Sequence, residues 1–166
     1  MHIIFNHGKE SGPNGRKIVA MSKVAESLGH SYASIDYTEC VNEHQRLSKL
    51  ENYLEGQKDQ ELVLVGSSMG GYVAAGAANR YTLKGLFLLC PAVYRKEFQA
   101  QEYQPKTEAI EIIHGRKDKI VELEDSLKFS AEHQAILHVV EDEHRLANSV
   151  PLIALWFKLF LERIKV

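Results

Sequence analysis

The chain has 166 residues, which is enough for one domain with a substantial core and too few for two, so we expect a single domain over residues 1–166. Hydrophobic residues make up 45% of the sequence and charged residues 25%, a balance typical of ordinary globular proteins. The formal net charge of −2 gives no electrostatic reason to expect a nucleic acid or an anionic membrane as partner.

The sequence also carries predictions about the cellular compartment. The first residues enter an apolar run directly, without the basic and apolar regions of a signal peptide, and the longest apolar run, residues 150–157, is far shorter than a membrane span. The two cysteines, Cys40 and Cys90, lie in no pattern that pairs them, so both are expected to be reduced thiols. We therefore predict a cytoplasmic protein.

In the first half of the chain, apolar runs and helical periodicities alternate. Residues 2–6 form an apolar run that predicts a buried strand, and helical spacing predicts a helix over residues 17–28. A short strand is expected over residues 32–35, followed by a surface helix over residues 41–54 with its leucines on one face. A third strand, residues 62–65, leads into a glycine-rich turn and a helix of small residues.

The second half continues the alternation with strands over residues 83–90, 109–113 and 136–140, and a helix over residues 121–132. In a last helix, Ser149 is expected to cap the N-terminus and Pro151 to lie in the first turn. The apolar stripe predicted for this helix consists of Leu152, Leu155, Trp156, Leu159 and Phe160.

Six apolar strands alternating with helices predict an α/β fold, in which a parallel sheet lies between two layers of helices as a three-layer αβα sandwich. One stretch, residues 91–107, has no clear element and is interpreted as a short connecting or cover segment.

The turn after the third strand carries the pattern Gly-x-Ser-x-Gly, as Gly66-Ser67-Ser68-Met69-Gly70. A serine on a tight strand-to-helix turn is held with its hydroxyl exposed, while the glycines let strand and helix approach closely. This predicts Ser68 as a nucleophile. The alternative is a plain turn of a flavodoxin-like sheet, in which Ser68 only caps the helix.

Ligands of open parallel sheets bind beyond the carboxyl ends of the strands, and two candidate partners for Ser68 follow strand ends there. Asp118 follows the fifth strand and His144 the sixth, so that the order along the chain is nucleophile, acid, base. Asp118 as a surface turn residue remains an alternative, with Asp36 and Asp142 as rival acids. The nearest rival for the base is His114.

These residues together resemble the α/β-hydrolase superfamily over almost the whole chain. His7-Gly8 is similar to the turn that supplies an oxyanion-hole N–H in that family, and the segments around Ser68, Asp118 and His144 resemble its elbow, acid loop and base. The resemblance implies the strand order 2-1-3-4-5-6. Two departures are the missing antiparallel leading strands of larger members and a cap of at most residues 91–107.

The chemistry of these residues predicts a serine hydrolase that cleaves a small carboxylic ester or thioester through an acyl-enzyme intermediate. The backbone N–H of Met69 and, by resemblance, that of Lys9 (or of its neighbour Gly8) would bind the oxyanion. No metal and no cofactor is expected, because no cluster has metal-ligand spacing. The partner would be a small-molecule acyl substrate. A binding or scaffold protein with a vestigial triad is the alternative from another class.

Three further groups of residues each allow two interpretations. Tyr94, Phe98 and Tyr103 would either line an acyl pocket or pack the segment of residues 91–107 onto the core. His7 would either support the oxyanion turn or be an ordinary buried histidine. Six basic residues would either form a rim that favours an acidic or phosphorylated substrate or be scattered, solvated charges: Lys9, Arg16, Lys17, Arg95, Lys96 and Arg145.

Overall fold

The computed structural model describes residues 1–99, 101–107 and 109–165. Six strands alternate with five helices along the chain. The strands are β1 (His2–Asn6), β2 (Ser31–Ile35), β3 (Leu62–Ser67), β4 (Gly85–Leu89), β5 (Ile110–Gly115) and β6 (Ile136–Val140). The helices are α1 (Arg16–Ser27), α2 (Glu43–Glu55), α3 (Met69–Ala78), α4 (Leu123–His133) and α5 (Val150–Ile164). Every predicted strand and helix is present, with bounds that differ by a few residues.

The strands form one parallel sheet in the order β2-β1-β3-β4-β5-β6, which confirms the order implied by the resemblance. β1 and β3 pair in register from His2 opposite Leu62 to Asn6 opposite Gly66. Because parallel strands end at the same edge of a sheet, the loops that follow β1, β3, β4, β5 and β6 lie beside one another. That edge carries all the candidate site residues.

Helices cover both faces of the sheet, as the three-layer prediction requires. Two separate apolar clusters fill the space between the layers: one joins the sheet to α2, α3 and α4, and the other joins it to α1 and α5. The central strands are continuous apolar runs because they are buried on both faces, whereas the edge strands β2 and β6 are partly exposed.

The predicted apolar stripe of α5 is wrong in most of its members. Leu152, Leu155 and Leu159 are 44%, 51% and 49% exposed, while Phe157 is fully buried. Of the predicted stripe, Phe160 is buried together with Ile153, Phe157, Leu161 and Ile164, and Trp156 is half-buried against the same cluster. The helix is apolar on more than one side, so periodicity alone did not identify the side that faces the sheet.

The predicted role of Ser149 is also wrong. Ser149 occupies the N-cap position of α5, but its side chain accepts no hydrogen bond from the helix. Its hydroxyl instead donates to Asp142 Oδ2 at 2.8 Å. Ser149 therefore stabilises the loop between β6 and α5, in which His144 lies.

The segment from Pro91 to Thr107 has no helix or strand at its described positions, 91–99 and 101–107. It lies along α3: Tyr72 donates from its hydroxyl to Gln99 O at 3.0 Å, and Phe98 packs against the Tyr72 ring with centroids 4.9 Å apart. In the part of the chain that the structure describes, no helix has the length and apolar character needed to cross a membrane.

Candidate active site

Ser68 lies at the apex of the turn between β3 and α3, with φ 54° and ψ −119°. This left-handed backbone is strained for a residue with a side chain, and the surroundings hold it in place. The Ser68 N–H donates to Leu89 O at 3.0 Å, and the Ser68 carbonyl accepts from the N–H groups of Gly71 and Ala92 at 2.9 and 3.0 Å. The turn thus has the backbone of a nucleophile elbow.

The flanking glycines allow the close approach that the sequence pattern predicted. A Cβ added to Gly66 would lie 2.4 Å from Gly70 O, and one added to Gly70 would lie 2.0 Å from Asn6 O. Both neighbours are backbone atoms of the packed core, so neither can move aside cheaply. Glycine at these positions lets α3 start directly against β1 and β3.

The structure brings Ser68, His144 and Asp118 together in one hydrogen-bonded chain. His144 Nε2 lies 2.9 Å from Ser68 Oγ, and His144 Nδ1 lies 2.6 Å from Asp118 Oδ2. Because a carboxylate can only accept, Nδ1 carries the proton and Nε2 is free to accept the proton of the serine hydroxyl. This is the tautomer that a general base at Ser68 requires.

The Asp118 carboxylate is fully buried, and its own loop satisfies it. Oδ1 accepts from the N–H groups of Ile120 and Val121 at 2.8 and 2.9 Å, while His114 Nε2 lies 3.4 Å from Oδ2. Burial alone would raise the pKa of Asp118, but the hydrogen bonds from His114, His144 and the two backbone N–H groups together lower it well below its ordinary value. Asp118 is therefore an ionised, oriented carboxylate and not a surface turn residue.

The rival candidates occupy other places. Asp36 is an exposed residue that accepts from the Thr38 N–H and hydroxyl. Asp142 is buried and accepts from Glu143 N, Asn148 N and the Ser149 hydroxyl, so it orders the loop that carries His144. His114 is fully buried beneath Asp118, between the Ser126 hydroxyl and Val121 O. None of these three side chains forms a hydrogen bond with Ser68.

The turn after β1 lies next to the elbow, because β1 and β3 are neighbours in the sheet. A Cβ added to Gly8 would lie 3.5 Å from Ser68 Cβ, so the two turns are in contact. Met69 is the first residue of α3, and its N–H has no acceptor within the helix. The N–H groups of Met69 and of Lys9 or Gly8 thus belong to the two turns that border Ser68.

His7 orients the turn that carries Gly8 and Lys9. Its Nε2 accepts from the Tyr37 N–H at 2.9 Å, so Nδ1 carries the proton and donates to Gly8 O at 2.7 Å. Burial lowers the pKa of His7, which favours this neutral form. The Gly8 carbonyl and the Lys9 N–H share one peptide plane and point in opposite directions, so His7 fixes the direction of the Lys9 N–H. Both interpretations of His7 therefore hold: it is buried, and it supports the turn.

Arg46 is a residue of this site that the sequence analysis missed. Its side chain is buried, and Nη1 donates to His7 O at 2.9 Å. Its Nε has no hydrogen-bond partner among the described residues. The one signal in the sequence is that Arg46 falls at helical spacing with Leu50 and Leu54, on the buried face of α2. An arginine in that position needs a polar partner in the interior.

Cys90 was also missed, and it lies beside the acid. Its thiol sulfur, a carboxylate oxygen of Asp118 and a ring nitrogen of His144 lie within 4.8 Å of one another. Burial raises the pKa of the Cys90 thiol, so the protonated form is favoured and the thiolate that a metal would need is not. Asp118 and His144 are already engaged with each other. Cys90, Asp118 and His144 are therefore poorly suited to binding a metal ion together.

A cavity of about 660 Å³ opens beside Ser68, Met69 and His144. Phe98 lines it, whereas Tyr94 and Tyr103 pack against each other and against Phe129 in the core. Of the three aromatic residues in the segment of residues 91–107, only Phe98 therefore reaches the cavity.

The cavity is also lined by five of the six basic residues that the sequence analysis singled out: Lys9, Arg16, Lys17, Arg95 and Arg145. The ammonium group of Lys17 donates at 2.9 Å to the backbone oxygen of Arg145, the residue that follows His144 in the chain. Burial lowers the pKa of Lys17, an effect that the nearby carboxylates of Asp142 and Asp118 oppose in part. Five of the six basic residues thus border one cavity, with Lys9, Arg16 and Arg145 exposed at its surface.

Comparison with known proteins gives the family of the chain. A model of the uncharacterised protein family UPF0227 matches residues 2–102, which is more than half of the 166 residues. The chain belongs to this family. The match includes the turn after β1 and the elbow at Ser68, whereas Asp118 and His144 lie outside it.

The solved structures similar to this UPF0227 protein place it in the α/β-hydrolase superfamily, as the resemblance implied. A protein of Xanthomonas campestris pv. campestris, assigned to the hydrolases of this superfamily, is 29% identical, with a TM-score of 0.89 and 98% of both chains covered. A second Xanthomonas campestris protein, described as an α/β serine hydrolase without lid, has a TM-score of 0.78 at 18% identity, covering 98% of this chain and 81% of that one. The second likeness shows the fold alone.

Among curated proteins, the palmitoyl-protein thioesterase ABHD10 of Rattus norvegicus is 36% identical over 89 residues. The match covers 46% of the UPF0227 chain and 29% of ABHD10, so the matched region is less than a third of that relative. ABHD10 is named as mitochondrial. The cytoplasmic location expected from the sequence stays a prediction.

Proposed function

We propose that this protein is a serine hydrolase that cleaves a small carboxylic ester or thioester through an acyl-enzyme intermediate. The observation that carries the proposal is the continuous path from Asp118 through His144 to Ser68, with distances of 2.6 and 2.9 Å. An oriented acid, a base in the required tautomer and a strained nucleophile are the three parts that this chemistry needs. The resemblance to hydrolases of the same superfamily supports it.

In the acylation step, Ser68 Oγ attacks the carbonyl carbon of the substrate while its proton passes to His144 Nε2. The imidazolium that forms is stabilised by the ionised Asp118 at Nδ1. His144 then gives the proton to the leaving alcohol or thiol, the ester or thioester bond breaks, and the acyl group remains on Ser68.

The negative charge on the carbonyl oxygen of the tetrahedral intermediate would be bound by the N–H groups of Met69 and Lys9. Loss of one such donor typically lowers kcat by about 100- to 1,000-fold. Water activated by His144 then attacks the acyl-enzyme and releases the carboxylic acid. The hydrogen bond from His7 to Gly8 O supports the direction that the Lys9 N–H needs.

Two observations support a small ester or thioester as the substrate class. The cavity volume of about 660 Å³ lies within the range of small-molecule sites, about 300 to 1,000 Å³. The name of ABHD10 as a palmitoyl-protein thioesterase supports thioesters beside oxygen esters. The shortness of the segment of residues 91–107, which takes the place of a cap domain, supports an open, shallow site.

A fluorophosphonate probe tests the nucleophile. We expect the wild-type protein and a Ser67→Ala variant to be labelled, and a Ser68→Ala variant to lose the label, since Ser68 is the serine whose hydroxyl is hydrogen-bonded to His144. Peptide mapping of the adduct identifies the labelled serine. Equal labelling of the two alanine variants would overturn the assignment of Ser68.

A panel of short-chain acyl esters and thioesters separates this proposal from a binding or scaffold role with a vestigial triad. We expect turnover that disappears in Ser68→Ala while the fold, followed by circular dichroism, is retained. If no substrate of the panel is turned over faster than in the Ser68→Ala control, the hydrolase proposal fails and the binding role is favoured.

A further inference from the structure

The charged side chains around the cavity are unevenly balanced. Five cations line it: Lys9, Arg16, Lys17, Arg95 and Arg145. The two carboxylates that line it are already paired, Glu10 with Arg145 at 3.5 Å and Glu97 with Arg95 at 2.7 Å. Within the described part of the chain, Lys9, Arg16 and Lys17 have no carboxylate at ion-pair distance. A protein with a net charge of −2 thus places an excess of positive charge at one cavity.

The three cations without a carboxylate come from one short segment of the chain, residues 9–17. They belong to the turn after β1 and to the first residues of α1, and β1 lies next to β3 in the sheet. On the other side of β3, the loops after β4 and β5 contribute Phe98, Ile120 and Val121 to the cavity, together with the ion pair of Arg95 and Glu97. A substrate at Ser68 can therefore reach both the unpaired cations of the β1–α1 segment and the apolar side chain of Phe98.

We propose that the substrate of this site carries a carboxylate that binds to Lys9, Arg16 and Lys17 while the apolar part of the substrate lies against Phe98. This inference rests on the proposed hydrolase function and adds the charge of the substrate to it. Because Lys17 also donates to Arg145 O, its ammonium has fewer donors to spare than the other two cations. Lys9 and Arg16 are therefore the main contacts of the anion.

Two matched pairs of ester substrates test the two possible positions of the carboxylate: one pair carries it on the acyl group and the other on the leaving group. In the acyl pair, the 4-nitrophenyl monoester of glutarate is compared with 4-nitrophenyl pentanoate. In the leaving-group pair, the butyrate ester of 3-hydroxybenzoate is compared with that of 3-hydroxybenzamide. The readout is the ratio of kcat/KM for the anionic member of a pair to kcat/KM for the neutral member. This ratio is compared between the wild type and charge variants, because the intrinsic reactivities of the two esters cancel in that comparison.

We expect Arg16→Gln to lower this ratio about threefold and Arg16→Glu to lower it about tenfold, in at least one pair, since a partly exposed ion pair contributes modestly. Lys23→Gln removes the same charge two turns further along α1 and should leave the ratio unchanged, since solvent screens that distance. The preference should also decline as salt is added. An unchanged ratio in both pairs, with hydrolysis intact, would overturn the inference and leave the proposed function standing.

A binding measurement covers the case in which no ester is hydrolysed and the proposed function itself fails. Ligand-observed NMR titrations compare 3-hydroxybenzoate with 3-hydroxybenzamide and glutaramate with pentanamide. We expect the wild type to bind the carboxylate of at least one pair more tightly than its neutral partner, and Arg16→Gln to reduce that difference. Equal binding of both members in both pairs would overturn the inference without reference to turnover.

Discussion

The guanidinium of Arg46 donates a hydrogen bond to the carbonyl oxygen of His7 at 2.9 Å while only 3% of the residue is exposed. The His7 carbonyl and the Gly8 N–H share a peptide plane, and His7 Nδ1 holds the next peptide by its bond to Gly8 O. Two successive peptides of the turn beside Ser68 are thus fixed from the protein interior. A buried charge without a carboxylate partner is costly for stability, so its presence here indicates a role in positioning the turn.

Replacing Arg46 by methionine should therefore affect kcat more than stability. We expect kcat to fall about tenfold, which is less than the decrease in kcat when an oxyanion-hole donor is removed altogether. KM should stay within about twofold of the wild-type value. The free energy of unfolding should change by less than about 1 kcal/mol, because removing a buried charge offsets the lost hydrogen bond. Ester kinetics and urea unfolding measure both effects.

The control for this prediction is Arg80→Met, since Arg80 is an exposed arginine that pairs with Glu51 at 3.0 Å. It should change neither kcat nor stability noticeably. A purely structural role of Arg46 would give the opposite pattern, in which stability falls by several kcal/mol and kcat per folded molecule is unchanged.

Replacing Asp118 by asparagine should reduce kcat by about 10,000-fold. Asparagine is close in shape, but it does not stabilise the imidazolium and its NH₂ group favours the wrong tautomer of His144. Steady-state kinetics with a reactive ester measures the loss. Asp142→Asn is an informative comparison, because Asp142 orders the loop of His144 without contacting His144 itself and should cost much less.

The same substitution should change how stability depends on pH. The pKa of Asp118 is lowered in the folded protein, so its contribution is fully present above the unfolded pKa of about 3.9 and is lost as pH falls through the folded pKa. As the pH is lowered from 6 into the acid range, the free energy of unfolding should therefore decrease more for the wild type than for Asp118→Asn. Urea unfolding across this range tests it, with the exposed Asp59→Asn as control. Parallel curves for Asp118→Asn and the wild type would contradict the prediction.

Gly70→Ala should destabilise the elbow strongly. The added methyl group would lie 2.0 Å from Asn6 O, a backbone atom of β1, so helix or strand must shift. We expect a loss of about 3 kcal/mol, at the upper end of overpacking effects. Gly12→Ala is the matched control, since its Cβ would meet nothing within 4 Å. Urea unfolding of both variants gives the comparison, and similar stabilities would count against close packing at Gly70.

Local patterns predicted the sheet and the three residues of the hydrogen-bonded chain because their signals are short in sequence. Apolar runs identified the strands, and the Gly-x-Ser-x-Gly turn identified Ser68. Asp118 and His144 were found because they follow strand ends that a parallel sheet must bring to one edge. The order of those strands came from the resemblance, since periodicity contains no information about neighbours in a sheet.

Contacts between residues far apart in sequence were not predictable in this way. Arg46 and His7 are 39 positions apart, and only the fold shows that α2 packs beneath the turn after β1. The position of Cys90 beside Asp118 likewise depends on how two loops meet. The basic rim was visible as a group of residues near strand ends, but its pairing with Glu10 and Glu97, which decides which charges are free, needed the side-chain geometry.

The face of α5 that packs on the sheet was predicted wrongly, and stability measurements would detect the difference directly. Phe157 is fully buried, with its ring 5.1 Å from that of Phe87 between centroids, so Phe157→Ala should cost about 3–5 kcal/mol. Leu155 belonged to the stripe expected from the sequence but is 51% exposed, so Leu155→Gln should cost less than about 1 kcal/mol. Urea unfolding of the two variants should show this order; the reverse order would mean that the Leu155 side of α5 faces the core.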